Sequence, residues 1–89
     1  MTNLHRNSVS DFKTNLPHEQ QVKCHYAFIQ LRNEIKRVGS EKGVHVISMP
    51  VGETVPAYVV RWLKNSAGMQ RYDFSVDVQG NEYVVTVRS

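Results

Sequence analysis

The sequence has a single cysteine, Cys24, among its 89 residues. One cysteine cannot form an intramolecular disulfide or a cysteine-rich zinc site, and a reducing compartment is the simplest interpretation. No run of apolar residues is long enough to cross a bilayer, and the amino terminus lacks the apolar segment of a secretory signal. We therefore expect a soluble intracellular protein without a membrane segment, in the cytoplasm or in the nucleoid or nucleus.

Residue patterns for catalysis and for metal or cofactor binding are also missing. The five glycines are dispersed, so no glycine-rich phosphate loop is present, and the four histidines lack spacings that would pair two imidazoles on one face. Cys24 and His25 are adjacent, but neighbouring helical side chains point about 100° apart. Asp73 and Asp77 fall on one exposed strand face, where solvated charges are the ordinary outcome. We expect no enzymatic activity, no metal and no cofactor.

The clearest positive signal is a β-hairpin at the carboxyl end of the chain. Residues 72–78 and 82–88 alternate apolar and polar side chains around Gly80-Asn81, which is typical of two strands joined by a two-residue loop. A shift of one residue in the strand pairing would expose the apolar side chains to water, so the alternation predicts a single register. The predicted pairs are Gln79 with Glu82, Val78 with Tyr83, Asp77 with Val84, Val76 with Val85, Ser75 with Thr86, Phe74 with Val87 and Asp73 with Arg88.

A long amphipathic helix is predicted from Leu16-Pro17 to Val38, with Gly39 as its stop. A core stripe recurs at steps of four, three, four and three: Cys24, Phe28, Leu31, Ile35 and Val38. A smaller apolar patch on the opposite side consists of Val22, Tyr26 and Ile29. This patch predicts an interface with a protein partner, cover by the amino-terminal arm, or simple exposure.

The middle of the chain predicts one strand and a second helix. Residues 44–49 form a short, mostly buried strand that Pro50 closes. Thr54 is the predicted N-cap of the second helix, Pro56 lies in its first turn, and Gly68 is its stop. Its predicted inner face is Val55, Val59, Trp62, Leu63 and Ser66.

These elements predict a two-layer α/β (α+β) sandwich in the order helix, strand, helix, strand, strand. A three-stranded sheet that includes the hairpin is covered by two helices on one face. We expect one compact domain over residues 16–89. Residues 1–15 are rich in asparagine, serine and threonine, which predicts a flexible arm.

This order of elements resembles that of small RNA- and DNA-binding modules. Among them are the Alba-like folds and the single-strand-binding domain named for an arginine and a histidine with three residues between them. At that spacing the second helix reads Arg61-Trp62-Leu63-Lys64-Asn65, so an asparagine stands where the motif requires histidine. The motif is absent, and the resemblance in topology assigns no functional residue.

Charge is distributed unevenly along the chain, whose net charge is +3. Residues 19–71 carry eight basic and four acidic side chains, whereas residues 72–89 carry one and three. This asymmetry predicts an anionic partner on the helical side, or self-association of opposite patches. The residues predicted to neutralise phosphates are Lys36, Arg37, Lys42, Arg61, Lys64 and Arg71.

The functional prediction is a small nucleic-acid-binding module with a basic strip on its helical face. Tyr26 and Tyr58 are candidates for base stacking beside that strip. The alternative is a protein-binding regulator, inhibitor or assembly factor that acts through the helix patch or the hairpin edge. A homodimer fits both hypotheses, and the sequence leaves RNA, DNA and protein targets open.

Overall fold

The computed structural model describes residues 16–89, so the predicted flexible arm, residues 1–15, lies outside the described residues. The predicted order of elements is confirmed. Helix α1 is followed by strand β1, helix α2, a short 3-10 turn, and the hairpin of β2 and β3. Their bounds are His18–Gly39 for α1, Val44–Pro50 for β1, Pro56–Asn65 for α2, Met69–Arg71 for the 3-10 turn, Asp73–Gln79 for β2 and Glu82–Arg88 for β3.

The sheet has the strand order β1-β3-β2, and both neighbouring pairs are antiparallel. The predicted hairpin register is confirmed from the Gln79–Glu82 pair to the Asp73–Arg88 pair. The sequence left open which hairpin strand neighbours β1, and it is β3. Strands β1 and β2 therefore run in the same direction at the two edges of the sheet, and α2 connects them across β3.

The core lies between the helices and the central strand. Tyr83, Val85 and Val87 of β3 are fully buried, because β3 is covered by neighbours on both sides and by helices on one face. Helix α1 contributes most of the predicted stripe, although Phe28 is only half-buried. The remaining buried residues are Cys24, Ala27, Leu31, Ile35, Val38, Val59, Leu63 and Met69.

The prediction that the first strand is mostly buried is wrong. The side chains of Val44 and Val46 are 63% and 66% exposed, and exposure alternates along the whole strand. The physical reason is that β1 is an edge strand whose second face has no covering layer among residues 16–89.

In the structure, Thr54 does not have its predicted role at a helix end, and Gly39 has a further role in packing. Thr54 is not the N-cap, because Val55 holds that position without a side-chain cap, while Pro56 is the first helical residue as expected. Gly39 is the last residue of α1. A Cβ atom at Gly39 would lie 2.5 Å from Cδ1 of Tyr72, so this glycine permits close packing of the chain that enters β2.

The other helix boundaries shift by a few residues. Pro17 is the N-cap of α1 and precedes the first helical residue, His18. Helix α2 ends at Asn65, three residues before the predicted stop. Gly68 instead has a φ of 84° and begins the 3-10 turn, a left-handed conformation that glycine adopts without steric cost.

Candidate nucleic-acid interface

The two helices pack side by side and run in the same direction. Near the start of α2, the backbone N–H of Val55 donates a hydrogen bond to Sγ of Cys24 over 3.2 Å. Further along both helices, the ring of Trp62 meets that of Phe28 edge-on at 6.2 Å between centroids. Because later residues of one helix contact later residues of the other, the carboxyl ends of both helices point to the same end of the sandwich.

Chain segments that carry most of the predicted phosphate-binding residues meet at this end. Gly43 and Ser89 exchange backbone hydrogen bonds of 3.0 and 2.9 Å, and Tyr72 packs against Gly39. We call residues 34–44, 64–73 and 88–89 the basic end. It includes Lys36, Arg37, Lys42, Lys64 and Arg71, and all five side chains are exposed.

The opposite end of the sandwich consists of residues 18–25, 50–56 and 77–82, and we call it the acidic end. The basic end carries six basic and three acidic side chains, whereas the acidic end carries one basic and four acidic side chains. There the N–H of Val51 donates to the carbonyl oxygen of Asn81 over 2.7 Å, and Lys23 forms an ion pair with Glu53. Charge is thus separated along the sandwich, from one end to the other, as well as between the helices and the hairpin.

Arg37 is the member of the basic end whose charge is partly compensated. Its guanidinium lies 2.6 Å from Oε1 of Glu34, one helical turn earlier. The hydrogen bond to Arg37 lowers the pKa of the Glu34 carboxyl, and it raises the pKa of Arg37. Lys36, Lys42 and Lys64 form no ion pair within residues 16–89, so their charges are available to a phosphate.

Arg32 is a candidate residue that the sequence interpretation missed. Its guanidinium carbon lies 5.7 Å from the centroid of the Phe28 ring, at the junction of the two helices. Nε of Arg32 is buried and has no hydrogen-bond partner among the described residues. The sequence could have indicated this residue, because Arg32 precedes Lys36 by four residues and helical residues at that spacing lie on the same side.

Arg61 lies on α2, just outside the basic end. Together with Lys64 it lines a groove of about 530 Å³ whose apolar floor includes Val60 and Val78. Arg61 and Lys64 are both exposed. The groove therefore combines two cations with an apolar surface on the β2 side of α2.

The two tyrosines predicted to stack bases differ in position. Tyr58 is half-buried, and its ring meets that of Trp62 edge-on at 6.3 Å. Tyr26 is 65% exposed but precedes Lys36 by ten residues, which is about 15 Å along a helix. Tyr26 therefore does not border the basic end.

The helix patch of Val22, Tyr26 and Ile29 lies nearer the acidic end. Val22 and Tyr26 are exposed, and Ile29 is half-buried. Val22 and Tyr26 line both of two grooves, one of about 470 Å³ shared with the loop after β1 and one of about 380 Å³ shared with Trp62. The patch is thus a ridge between two mainly apolar depressions.

The remaining candidate groups are separated from one another. Cys24 is fully buried and accepts a hydrogen bond, whereas His25 is exposed and lies 5.9 Å from the ring of Phe28. Asp73 and Asp77 lie on the uncovered face of β2. Across residues 16–89, no group of three or more histidine, cysteine, aspartate or glutamate side chains could hold a metal ion.

Comparisons with known proteins found no matching family model, curated protein or solved structure. Within the described part of the chain, no helix is both long enough and apolar enough to cross a membrane.

Proposed function

We propose that this protein is a small non-enzymatic module that binds the phosphate backbone of a nucleic acid at its basic end. The observation that carries the proposal is the convergence of cations from separate segments: the end of α1, the loop after it, the end of α2 and the 3-10 turn. A surface on which several lysines and arginines converge attracts phosphates and releases their counterions on binding.

Helix-dipole compensation does not account for the whole set of cations. Lys36, Arg37 and Lys64 lie in the last turns of their helices, where cations are favourable without any ligand. Lys42 lies in a loop, and Arg71 ends the 3-10 turn. Neither residue lies in the last turn of α1 or α2, so the usual preference of helix ends for cations does not explain their positions.

The lysines and two of the arginines would contact phosphates in different ways, because their surroundings differ. The exposed lysines act as mobile point charges toward phosphates. Arg71 lies 5.6 Å from the Tyr72 ring and Arg32 lies over Phe28, so both guanidinium groups rest on aromatic rings before any ligand arrives. Such ordering reduces the conformational entropy lost on binding.

The test is a fluorescence-anisotropy titration with a labelled single strand and a labelled duplex, each at low and near-physiological salt. Lys64→Glu is compared with Lys23→Glu, which makes the same charge change on another exposed helical lysine at the acidic end. We expect Lys64→Glu to weaken binding by about tenfold and Lys23→Glu to have a much smaller effect. Equal losses would indicate attraction by net charge alone, and no binding by the parent at low salt would refute the proposal.

A second candidate function is binding of a protein partner through the helix patch. The hairpin edge is not proposed, because β3 is the central strand and the free hairpin strand, β2, carries Asp73 and Asp77. The observation that favours the patch is the position of Val22 and Tyr26 between two mainly apolar grooves, because exposed apolar surface of this kind marks protein interaction sites. Tyr26→Ala with Ile29→Asp should leave nucleic-acid affinity within about twofold of the parent. A larger loss would assign the patch to the nucleic-acid site.

A further inference from the structure

The two edges of the sheet are chemically different. On the uncovered face, the edge strand β2 carries Asp73 and Asp77, and such charges hinder pairing with another strand. The edge strand β1 contains no charged residue, and on the same face it exposes Val44 and Val46. Its one protective feature is a proline at its last position, Pro50. Among residues 16–89, strand β1 is therefore the sheet edge that is open to a further strand.

The hydrogen bonds to β3 determine which backbone groups of β1 remain available. Gly43 exchanges hydrogen bonds with Ser89, and Val51 donates to Asn81, so odd-numbered residues of β1 face β3. In an antiparallel ladder the alternate residues direct their N–H and C=O groups to the other side. The free edge of β1 therefore presents the N–H and C=O groups of Val44, Val46 and Ser48.

We propose that β1 pairs antiparallel with β1 of a second copy of this chain across a twofold axis at Val46. Val46 then lies opposite the partner's Val46, and Val44 lies opposite the partner's Ser48. In this register every outward N–H of the three residues meets a carbonyl of the partner. Pro50, which has no N–H, falls outside the ladder, and the two three-stranded sheets become one sheet of six strands.

The charge distribution favours a second copy in this orientation. An antiparallel pair places the basic end of each copy beside the acidic end of the other, which is electrostatically complementary. No like charges meet along the strand itself, because β1 has none. A short chain also gains from the added burial, because small domains bury a low fraction of their surface. This inference does not depend on nucleic-acid binding.

The first test is sedimentation equilibrium of the full chain over a wide range of concentration. Val46→Lys is compared with Ser75→Lys, because both positions pair with Thr86 in the same row of the sheet but lie at opposite edges. The parent and Ser75→Lys should sediment at twice the monomer mass. Val46→Lys places like charges on the axis and should weaken the dimer by about fivefold. A monomeric parent, or a Val46→Lys variant that dimerises like the parent, would overturn the proposal.

The second test locates the contact by oxidative cross-linking. Cα atoms of a hydrogen-bonded antiparallel pair lie about 5.5 Å apart, within the range of a disulfide. Val46→Cys should therefore give a covalent dimer, Ser75→Cys should stay monomeric on a denaturing gel, and the buried native Cys24 should not react. Equal cross-linking of both variants would contradict the proposed edge. A monomer whose Val44 and Val46 amides resist hydrogen exchange would show that residues 1–15 of the same chain cover β1, which would also overturn the proposal.

Discussion

The hydroxyl of Tyr83 lies 2.6 Å from Oγ1 of Thr54, and this contact ties the central strand to the loop that precedes α2. Oγ1 of Thr54 also donates to the carbonyl oxygen of Val51 over 2.6 Å. A threonine hydroxyl has one hydrogen, so Tyr83 is the donor in its bond with Thr54. The buried tyrosine thus depends on Thr54 for its acceptor.

Replacement of Thr54 by valine should destabilise the protein. Thr54→Val keeps the side-chain shape but leaves the phenol of Tyr83 without its acceptor, which costs about 1–3 kcal/mol. Tyr83→Phe removes the polar group itself and should cost less. Urea denaturation of both single variants and of the double variant should show that the double costs less than the sum. Additive costs would mean that the two hydroxyls are not coupled.

Stability should fall at alkaline pH because of Tyr83. Burial raises the pKa of its phenol above the unfolded value of about 10. The stabilisation is therefore fully present below about pH 10 and is lost as pH rises through the folded pKa. The melting temperature of the parent should fall more steeply above pH 10 than that of Tyr83→Phe. Parallel curves would exclude Tyr83 as the titrating group.

Gly39→Ala should destabilise the protein, although alanine is the better helix former. The added Cβ would lie 2.5 Å from Cδ1 of Tyr72, and such overpacking costs about 1–3 kcal/mol. The gain in helix propensity is about 1 kcal/mol. In a Tyr72→Ala background the clash is removed, so Gly39→Ala should be neutral or stabilising there. Thermal denaturation of the four variants checks both expectations, and a destabilising effect in that background would contradict the packing explanation.

Arg32→Met should reduce the electrostatic part of nucleic-acid binding without unfolding the protein. Methionine keeps an unbranched side chain over Phe28 and removes the charge. The slope of log K against log salt should become shallower by about one unit. Lys23→Met at the acidic end is the matched control and should keep the parent's slope. An unchanged slope for Arg32→Met would place Arg32 outside the interface.

Local patterns in the sequence predicted the elements and much of their inner surface. The hairpin register followed from alternation around Gly80-Asn81, because a slip of one residue exchanges the two faces of a strand. The stripe of α1 followed from the 3.6-residue period, which assigns a face without knowledge of what covers it. Thr54 was misjudged as an N-cap, because its hydroxyl serves Tyr83, which is distant in sequence. Gly39 does end α1, but its packing against Tyr72 was not predicted for the same reason.

The sequence by itself determined the order of the elements, the pairing of β2 with β3 and the apolar face of each helix, because these depend on neighbours within a few turns or one hairpin. Only the tertiary structure decided that β3 is central, that β1 is an exposed edge, and that cations from four segments meet at one end. These features arise from packing between segments far apart in the chain. The periodic pattern of apolar residues within one segment carries no information about that packing.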